Sequence, residues 1–293
     1  MAGIIDAHIH IMPPPRLSKA IKWIKRYIPS LPFDHCLTQQ EILSSLDDMG
    51  VSRFFNYVFP LRGEETRSLN RFNWELGKNV RKAVCFASIH PDTKNKEKAM
   101  EEALTEFGLA GIKLHPFIQD FHPLDSRMEV VYRFLSEVER PLVIHTGFDG
   151  FYSARITTRD VEHLLNRFPS LQVVACHMFY PDLEGAFRLL ADYPNLLLDG
   201  SNVFSGYRQQ GGANIFTGTV VKTGNRVSYH VGFHLNLERL ERYSDRILFG
   251  SDYPLCMNSL ERIYSHMAEL KISEQARKNI MYNTAFKLIK HSL

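Results

Sequence analysis

Asp6-Ala7-His8-Ile9-His10 closes an apolar run that begins at Ile4, and three prolines, Pro13-Pro14-Pro15, follow closely behind it. Side chains of a strand alternate faces, so His8 and His10 are expected to point the same way while Ile9 points into the opposite layer. The residues after this strand separate the two folds that the rest of the chain allows. An open doubly wound sheet usually carries a glycine-rich phosphate loop there. Here the position holds His-Ile-His and prolines, which favours a closed parallel barrel.

Outward from this run, further apolar runs of strand length recur over residues 54–59, 83–89, 110–115, 141–145, 171–177, 195–201 and 246–251. Helix-like stretches separate most of them, among them residues 20–28, the segment from the Thr38/Glu41 capping box to Met49, a stretch with Trp74 and Leu76, and residues 94–107. Two more follow at 259–270 and 273–289. Strands alternating with helices in this number predict a (β/α)8 TIM barrel, because the crossovers cover the outside of the sheet and closure removes its edges. Such barrels run to roughly 250 residues as one unit, so a single domain is expected over residues 1–293. Two connections exceed the repeat. The one after strand one spans 12–37, and the one after strand seven spans 202–238 with Gly206, Gly211, Gly212, Gly218 and Gly224. Both read as lids over the barrel face where active sites sit, and the second reads equally as a subunit interface of a homo-oligomer.

Charge narrows the partners. The net charge is +3, and basic residues alternate with acidic ones rather than forming runs, so neither nucleic acid nor membrane is expected as a partner. No basic segment followed by an apolar one opens the chain and no stretch approaches about 18 apolar residues, so the expected location is cytoplasmic. Cys36, Cys85, Cys176 and Cys256 lie far apart without a CxxC pair, which argues against both a disulfide framework and a thiolate zinc cluster.

Imidazoles and one carboxylate fall at the C-terminal ends of the strand runs: His8 and His10 on the first, His115 on the fourth, His145 on the fifth, His177 on the sixth, and Asp252 just past the eighth. Lys113 shares the inward parity of His115. In a closed barrel the ends of strands one, five, six and eight ring one mouth, so His8, His10, His145, His177 and Asp252 can surround a divalent ion. Nitrogen and carboxylate donors without thiolate suit Zn2+, as one or two ions, with Mn2+, Fe2+, Co2+ or Ni2+ as substitutes. A lone histidine at a strand end is more often a hydrogen-bonded core or surface residue than a ligand. The joint pattern in one register is what carries the metal reading.

These residues also carry a resemblance. Ile5-Asp6-Ala7-His8-Ile9-His10, Gly111-Ile112-Lys113-Leu114-His115-Pro116, Ile144-His145-Thr146-Gly147, Ala175-Cys176-His177, Phe249-Gly250-Ser251-Asp252-Tyr253-Pro254 and Ile280-Met281-Tyr282-Asn283-Thr284-Ala285 together span essentially the whole chain. In order and spacing the chain resembles the amidohydrolase superfamily, in particular the branch that contains amino-carboxymuconate-semialdehyde decarboxylase. The resemblance implies that His8, His10, His145 and Asp252 bind the metal. It leaves His177 either beside a metal-activated water or as ligand to a second ion. Lys113 sits where some relatives carry a carboxylated lysine, and is read here as unmodified and attracting an anionic small-molecule substrate. His115 is expected to orient substrate or a ligand.

The expected activity is hydrolysis of an amide, lactone or related carbonyl by metal-activated water, with Asp252 moving the proton and His177 polarising the carbonyl. A metal-dependent decarboxylase using the same residues is the alternative, with Lys113, Arg155, Arg159 or Arg208 holding the departing carboxylate. A non-catalytic barrel would show lost ligands, and here every ligand position is filled. Trp23, Phe54-Phe55 and Phe148-Asp149-Gly150-Phe151 read first as core packing and second as an aromatic pocket.

Overall fold

A computed structural model gives the architecture. It describes all residues except 1–2, 27–32, 35, 153, 205–206, 211–212, 223–226, 257 and 291–293, and for 207–210, 213–222 and 227–234 it describes the backbone alone. The strands are β1 (Ile4–Ile9), β2 (Val51–Asn56), β3 (Ala83–Cys85), β4 (Ile112–Leu114), β5 (Leu142–His145), β6 (Gly147–Asp149), β7 (Ala154–Ile156), β8 (Val173–Cys176), β9 (Leu196–Asp199), β10 (Tyr207–Gln210), β11 (Ala213–Lys222), β12 (Val227–His234) and β13 (Ile247–Leu248). The helices are α1 (Pro14–Lys25), α2 (Gln39–Asp48), α3 (Thr66–Asn79), α4 (Lys96–Glu101), α5 (Glu129–Glu137), α6 (Thr158–Arg167), α7 (Leu183–Asp192), α8 (Leu237–Arg242), α9 (Leu260–Glu269), α10 (Glu274–Lys278) and α11 (Thr284–Ile289).

Two parallel sheets, β1-β2-β3 and β13-β9-β8-β5-β4, account for the eight expected strands. They join at both edges. A bridge between Ala87 and Ile112 ties β3 to β4, and Lys113 N–H donates to the Ala87 carbonyl at 2.7 Å. On the other side Ala7 N–H donates to Phe249 O at 2.8 Å, and Asp252 N–H donates to His8 O at 2.9 Å. The cylinder therefore closes in the order β1-β2-β3-β4-β5-β8-β9-β13, which is the TIM barrel expected from the alternation of elements.

Closure produces two cores. A smaller cluster with Ile5, Ala7, Phe55, Tyr57, Val84, Phe86, Val143, Val174, Leu197 and Leu248 draws on nearly every barrel strand and so fills the interior, with Ala285 and Ile289 of α11 packed against it. A larger cluster, including Phe54, Ile144, Leu198 and Ile247, lies between the strands and the helices. Phe54 and Phe55 thus belong to the two cores and not to a pocket.

Three local expectations change. The connection over 12–37 is not wholly irregular: Pro14 opens α1, where a missing N–H costs nothing and the fixed φ suits a first turn. The stretch 202–238 is not an irregular connection, since β10, β11 and β12 form an antiparallel sheet within it. Glycines there suggested a loop, but β11, Ala213-Asn214-Ile215-Phe216-Thr217-Gly218-Thr219-Val220-Val221-Lys222, is rich in β-branched residues. Residues 147–156 add a hairpin, β6 paired antiparallel with β7, that no period in the sequence announced. The Thr38/Glu41 capping box does form and opens α2. Among the described residues, no helix is long and apolar enough to cross a membrane.

Candidate active site

Strict alternation along β1 fails at one place, and the site depends on it. Asp6 pairs with Phe54 but Ile9 pairs with Asn56, so β1 takes three steps where β2 takes two. This bulge reverses the parity between Ala7, which packs in the interior, and His8. Asp6 is left facing the outer layer. There it accepts from the N–H groups of His8 at 3.1 Å and Ser251 at 3.0 Å and from the Tyr264 hydroxyl of α9 at 2.8 Å. His8 and His10 are both turned toward Asp252 with Ile9 in the outer core, as alternation predicts, and the bulge decides that their shared side is the interior.

The tautomers of this pair follow from their partners. His8 Nδ1 lies 2.5 Å from Asp199 Oδ2, a carboxylate that can only accept, so its proton sits on Nδ1 and Nε2 carries a lone pair. His10 Nδ1 lies 3.0 Å from the Tyr57 carbonyl, which imposes the same tautomer. Both Nε2 atoms then face one carboxylate oxygen, Asp252 Oδ1, at 3.4 Å from His8 and 3.0 Å from His10. With both imidazoles neutral, three electron-rich atoms converge, buried, with no proton between them. A cation resolves that conflict, and two imidazoles with a carboxylate are suitable donors for a divalent one.

His145 and His177 belong to a different chain of contacts. His177 Nδ1 is 3.1 Å from the Ser201 carbonyl, and its Nε2 is 3.1 Å from His145 Nδ1. His145 thus donates from Nδ1 to His177, which leaves its Nε2 facing Asp149 Oδ2 at 3.6 Å. His115, His145 and Asp149 form a second group within mutual reach. In that group the His115 ring stacks on His145 with centroids 3.9 Å apart, and His115 Nδ1 accepts from Ile118 N–H at 3.5 Å, so the proton lies on Nε2 and can be donated. The second group has a donor of its own in His115 Nε2–H, whereas the partners of His8 and His10 supply none between those two imidazoles and Asp252. The four expected ligands are therefore gathered in two parts, three together and His145 across the mouth on β5, reached through His177.

Lys113 is fully buried, its Nζ 2.8 Å from Cys176 Sγ and 4.9 Å from the centre of the Tyr57 ring. Burial, reinforced by the Lys113 charge, holds His8, His115 and His145 well below 6.5. Arg155 and Arg159 are exposed, and the side chain of Arg208 lies outside the described residues. An aromatic arc borders the imidazoles. Phe59 is 5.7 Å from His10 and 5.2 Å from His115, and Phe117 is 5.4 Å from His145. The arc continues through Tyr152, stacked on Phe117 at 6.0 Å, to Trp23 of α1, which also meets Phe151 at 5.0 Å.

Sequence reasoning missed Asp199, Ser201, Asn202 and Asp149. The first three end the seventh strand run and follow it, so the rule applied to histidines, polar residues at C-terminal strand ends, would have found them had it been extended to every polar type. His177, Asn202 and Asp252 all adopt left-handed backbone, with φ of 61°, 61° and 64°. Such conformations in non-glycine residues concentrate at functional sites.

A family model described as amidohydrolase matches residues 5–290. The chain belongs to that family. As an amidohydrolase-family enzyme it matches no curated protein sequence, but its fold is shared with solved structures along their whole length. An uncharacterised TIM-barrel protein from Bordetella bronchiseptica is 18% identical with a TM-score of 0.71, covering 99% of both chains. A dihydroxybenzoic acid decarboxylase from Polaromonas, with bound manganese and 2-nitroresorcinol, is 15% identical with a TM-score of 0.69, over 100% of this chain and 98% of that one. A 5-carboxyvanillate decarboxylase from Sphingomonas paucimobilis is 13% identical with a TM-score of 0.66, over 99% of each.

The buried titratable groups set a pH dependence for the metal-free protein. His8, His115, His145 and His177 are all lowered from 6.5, so the stability they contribute is complete above that pH and is lost as pH falls below it. Burial pushes Asp6 and Asp149 up to about 6 from 3.8, so their contribution runs the other way, complete below 3.8 and lost as pH rises through about 6. Four imidazoles oppose two carboxyls. The melting temperature of chelator-treated protein is expected to fall from pH 7 to pH 5, and more steeply in Asp6→Asn, which lacks one opposing group. A melting temperature that stays flat or rises on acidification would contradict this assignment.

Proposed function

We propose that this chain is a divalent-metal-dependent decarboxylase of a small aromatic carboxylate. The observation that carries the reading is a buried meeting of lone pairs at His8, His10 and Asp252, bordered by the arc of Phe59, Phe117 and Tyr152. His8, His10 and Asp252, joined by His145, would hold the ion. When bound, zinc or manganese supplies Lewis-acid stabilisation of anionic oxygens on the substrate. The decarboxylase activity of the Polaromonas and Sphingomonas proteins supports the same choice.

Asp252 distinguishes this reading from hydrolysis. A hydrolase needs a free carboxylate oxygen to take the proton of an attacking water. Here Oδ1 faces His10 and His8, and Oδ2 accepts from Asn202 Nδ2 at 2.6 Å, so Asp252 is built to hold a position. Decarboxylation asks less of it. The bond between ring carbon and carboxylate breaks, its electron pair stays on the ring carbon, and a proton that His115 Nε2–H would supply, and recover from solvent once product leaves, replaces the departing carbon dioxide. The aromatic arc offers ring faces on which an aromatic substrate can pack. Lys113 adds a buried positive charge beneath the imidazoles that favours an anionic substrate over a neutral one.

The test is a panel of hydroxylated benzoates beside lactones and amides, offered to enzyme loaded with Mn2+ or Zn2+. Release of labelled carbon dioxide from a carboxyl-labelled benzoate is expected, with no turnover of the lactones or amides. Incorporation of water oxygen into a hydrolysed lactone or amide, with no carbon dioxide released from any benzoate, would return the chain to the hydrolase reading.

A further inference from the structure

The segment Asp199-Gly200-Ser201-Asn202, at the end of β9, touches three of the residues discussed above. Asp199 Oδ2 accepts from His8 Nδ1 at 2.5 Å. Ser201 Oγ lies 3.1 Å from His8 Nδ1 and 3.0 Å from His177 Nδ1, and the Ser201 carbonyl accepts from His177 at 3.1 Å. Asn202 holds the second oxygen of Asp252. The segment is itself fixed. Ser201 N–H donates to Asp199 Oδ1 at 2.8 Å, and Gly200 N–H donates to the Leu248 carbonyl at 3.0 Å. Close approach depends on Gly250, where a Cβ would lie 2.6 Å from Asp199 Oδ1 and 2.7 Å from His8 Cβ. That is nearer than a carbon can come without displacing one of them.

We infer that Asp199 is a positioning residue that locks His8 as its Nδ1–H tautomer, and that the segment it begins sets the affinity of the cation site. The inference rests on the cation site proposed above. A neutral imidazole has two tautomers of similar energy, and only one leaves Nε2 able to ligate. Without the Asp199 carboxylate, the Nε2–H form becomes accessible and donates to Asp252 Oδ1, closing two donors at once. Water cannot compensate, because His8 is 1% exposed and Asp199 1%. Loss of such an outer partner of a metal-binding histidine typically costs about 10–100-fold in metal affinity.

Two measurements separate this role from a structural one. Long-range proton–nitrogen NMR of metal-free protein reports the tautomer of His8, and Mn2+ titration reports affinity, both without turnover. Wild-type protein is expected to show His8 protonated at Nδ1. Asp199→Asn is expected to lose that signature and to bind Mn2+ roughly 10–100-fold more weakly. Wild-type Mn2+ affinity in Asp199→Asn overturns the inference. So does a His8 protonated at Nε2 in the wild type, which decides the matter even if the variant fails to fold. A wild type with the Nδ1–H tautomer that binds no Mn2+ overturns the proposed function instead, and leaves the tautomer assignment standing.

Discussion

Asp252→Asn is expected to strip the enzyme of its divalent ion and to lower turnover by more than the roughly 10–100-fold that follows loss of an outer partner. The substitution keeps the shape of the side chain. It removes the one charge that faces both His8 Nε2 and His10 Nε2, at 3.4 Å and 3.0 Å, and can turn an amide donor toward them. Two lone pairs then have a hydrogen-bonding partner and no longer require a cation. Folding should not suffer, because replacing a buried carboxylate by a neutral amide removes a desolvation cost. The comparison to make is metal content after dialysis, turnover of a benzoate substrate, and the melting temperature of metal-free protein. Full metal occupancy with undiminished turnover would remove His8, His10 and Asp252 as the site.

Asn56→Ala is expected to have the largest effect on stability. Asn56 Oδ1 accepts from Ile11 N–H at 2.7 Å, while its Nδ2 donates to the Ile11 carbonyl at 2.9 Å and to Asn73 Oδ1 at 2.8 Å. Asn73 in turn donates to the Phe86 carbonyl at 2.6 Å. This buried network ties the residue after His10 to β2, to α3 and to the chain beyond β3. Truncation leaves several polar groups without partners where water does not reach, at a cost of about 2–4 kcal/mol. For a protein of 293 residues that is a fall of roughly 3–7 °C in melting temperature. Calorimetry of metal-free variant and wild type decides it, and a fall of less than a degree would show that water replaces the lost bonds.

The barrel is legible in the sequence because its physical requirements are local. A strand buried on both faces needs a short apolar run, and a crossover helix needs a periodic stretch of fixed length. The positions of His8, His10, His145, His177 and Asp252 at the C-terminal ends of those runs followed from the same reading. The capping box at Thr38 was equally legible, since it involves only residues three apart. The hairpin of β6 and β7 and the sheet of β10, β11 and β12 were not. Their pairings depend on register between segments, and the glycines at Gly206, Gly211 and Gly212 look the same in a loop as between strands.

The sequence by itself determined the architecture and the kinds of donor available at the barrel mouth, because strand period, helix period and residue chemistry act over a few neighbouring residues. Only the tertiary structure decided which donors meet. The bulge between Asp6 and Ile9 turns His8 inward, and Asp199, 191 residues away, chooses its tautomer. Asn202 holds Asp252 from a different strand, while Ser201 and His177 draw His145 to the other side of the ring. Hydrogen-bond geometry between distant segments exists only once the cylinder closes, and it is that geometry which leaves three lone-pair-bearing atoms facing each other without a proton.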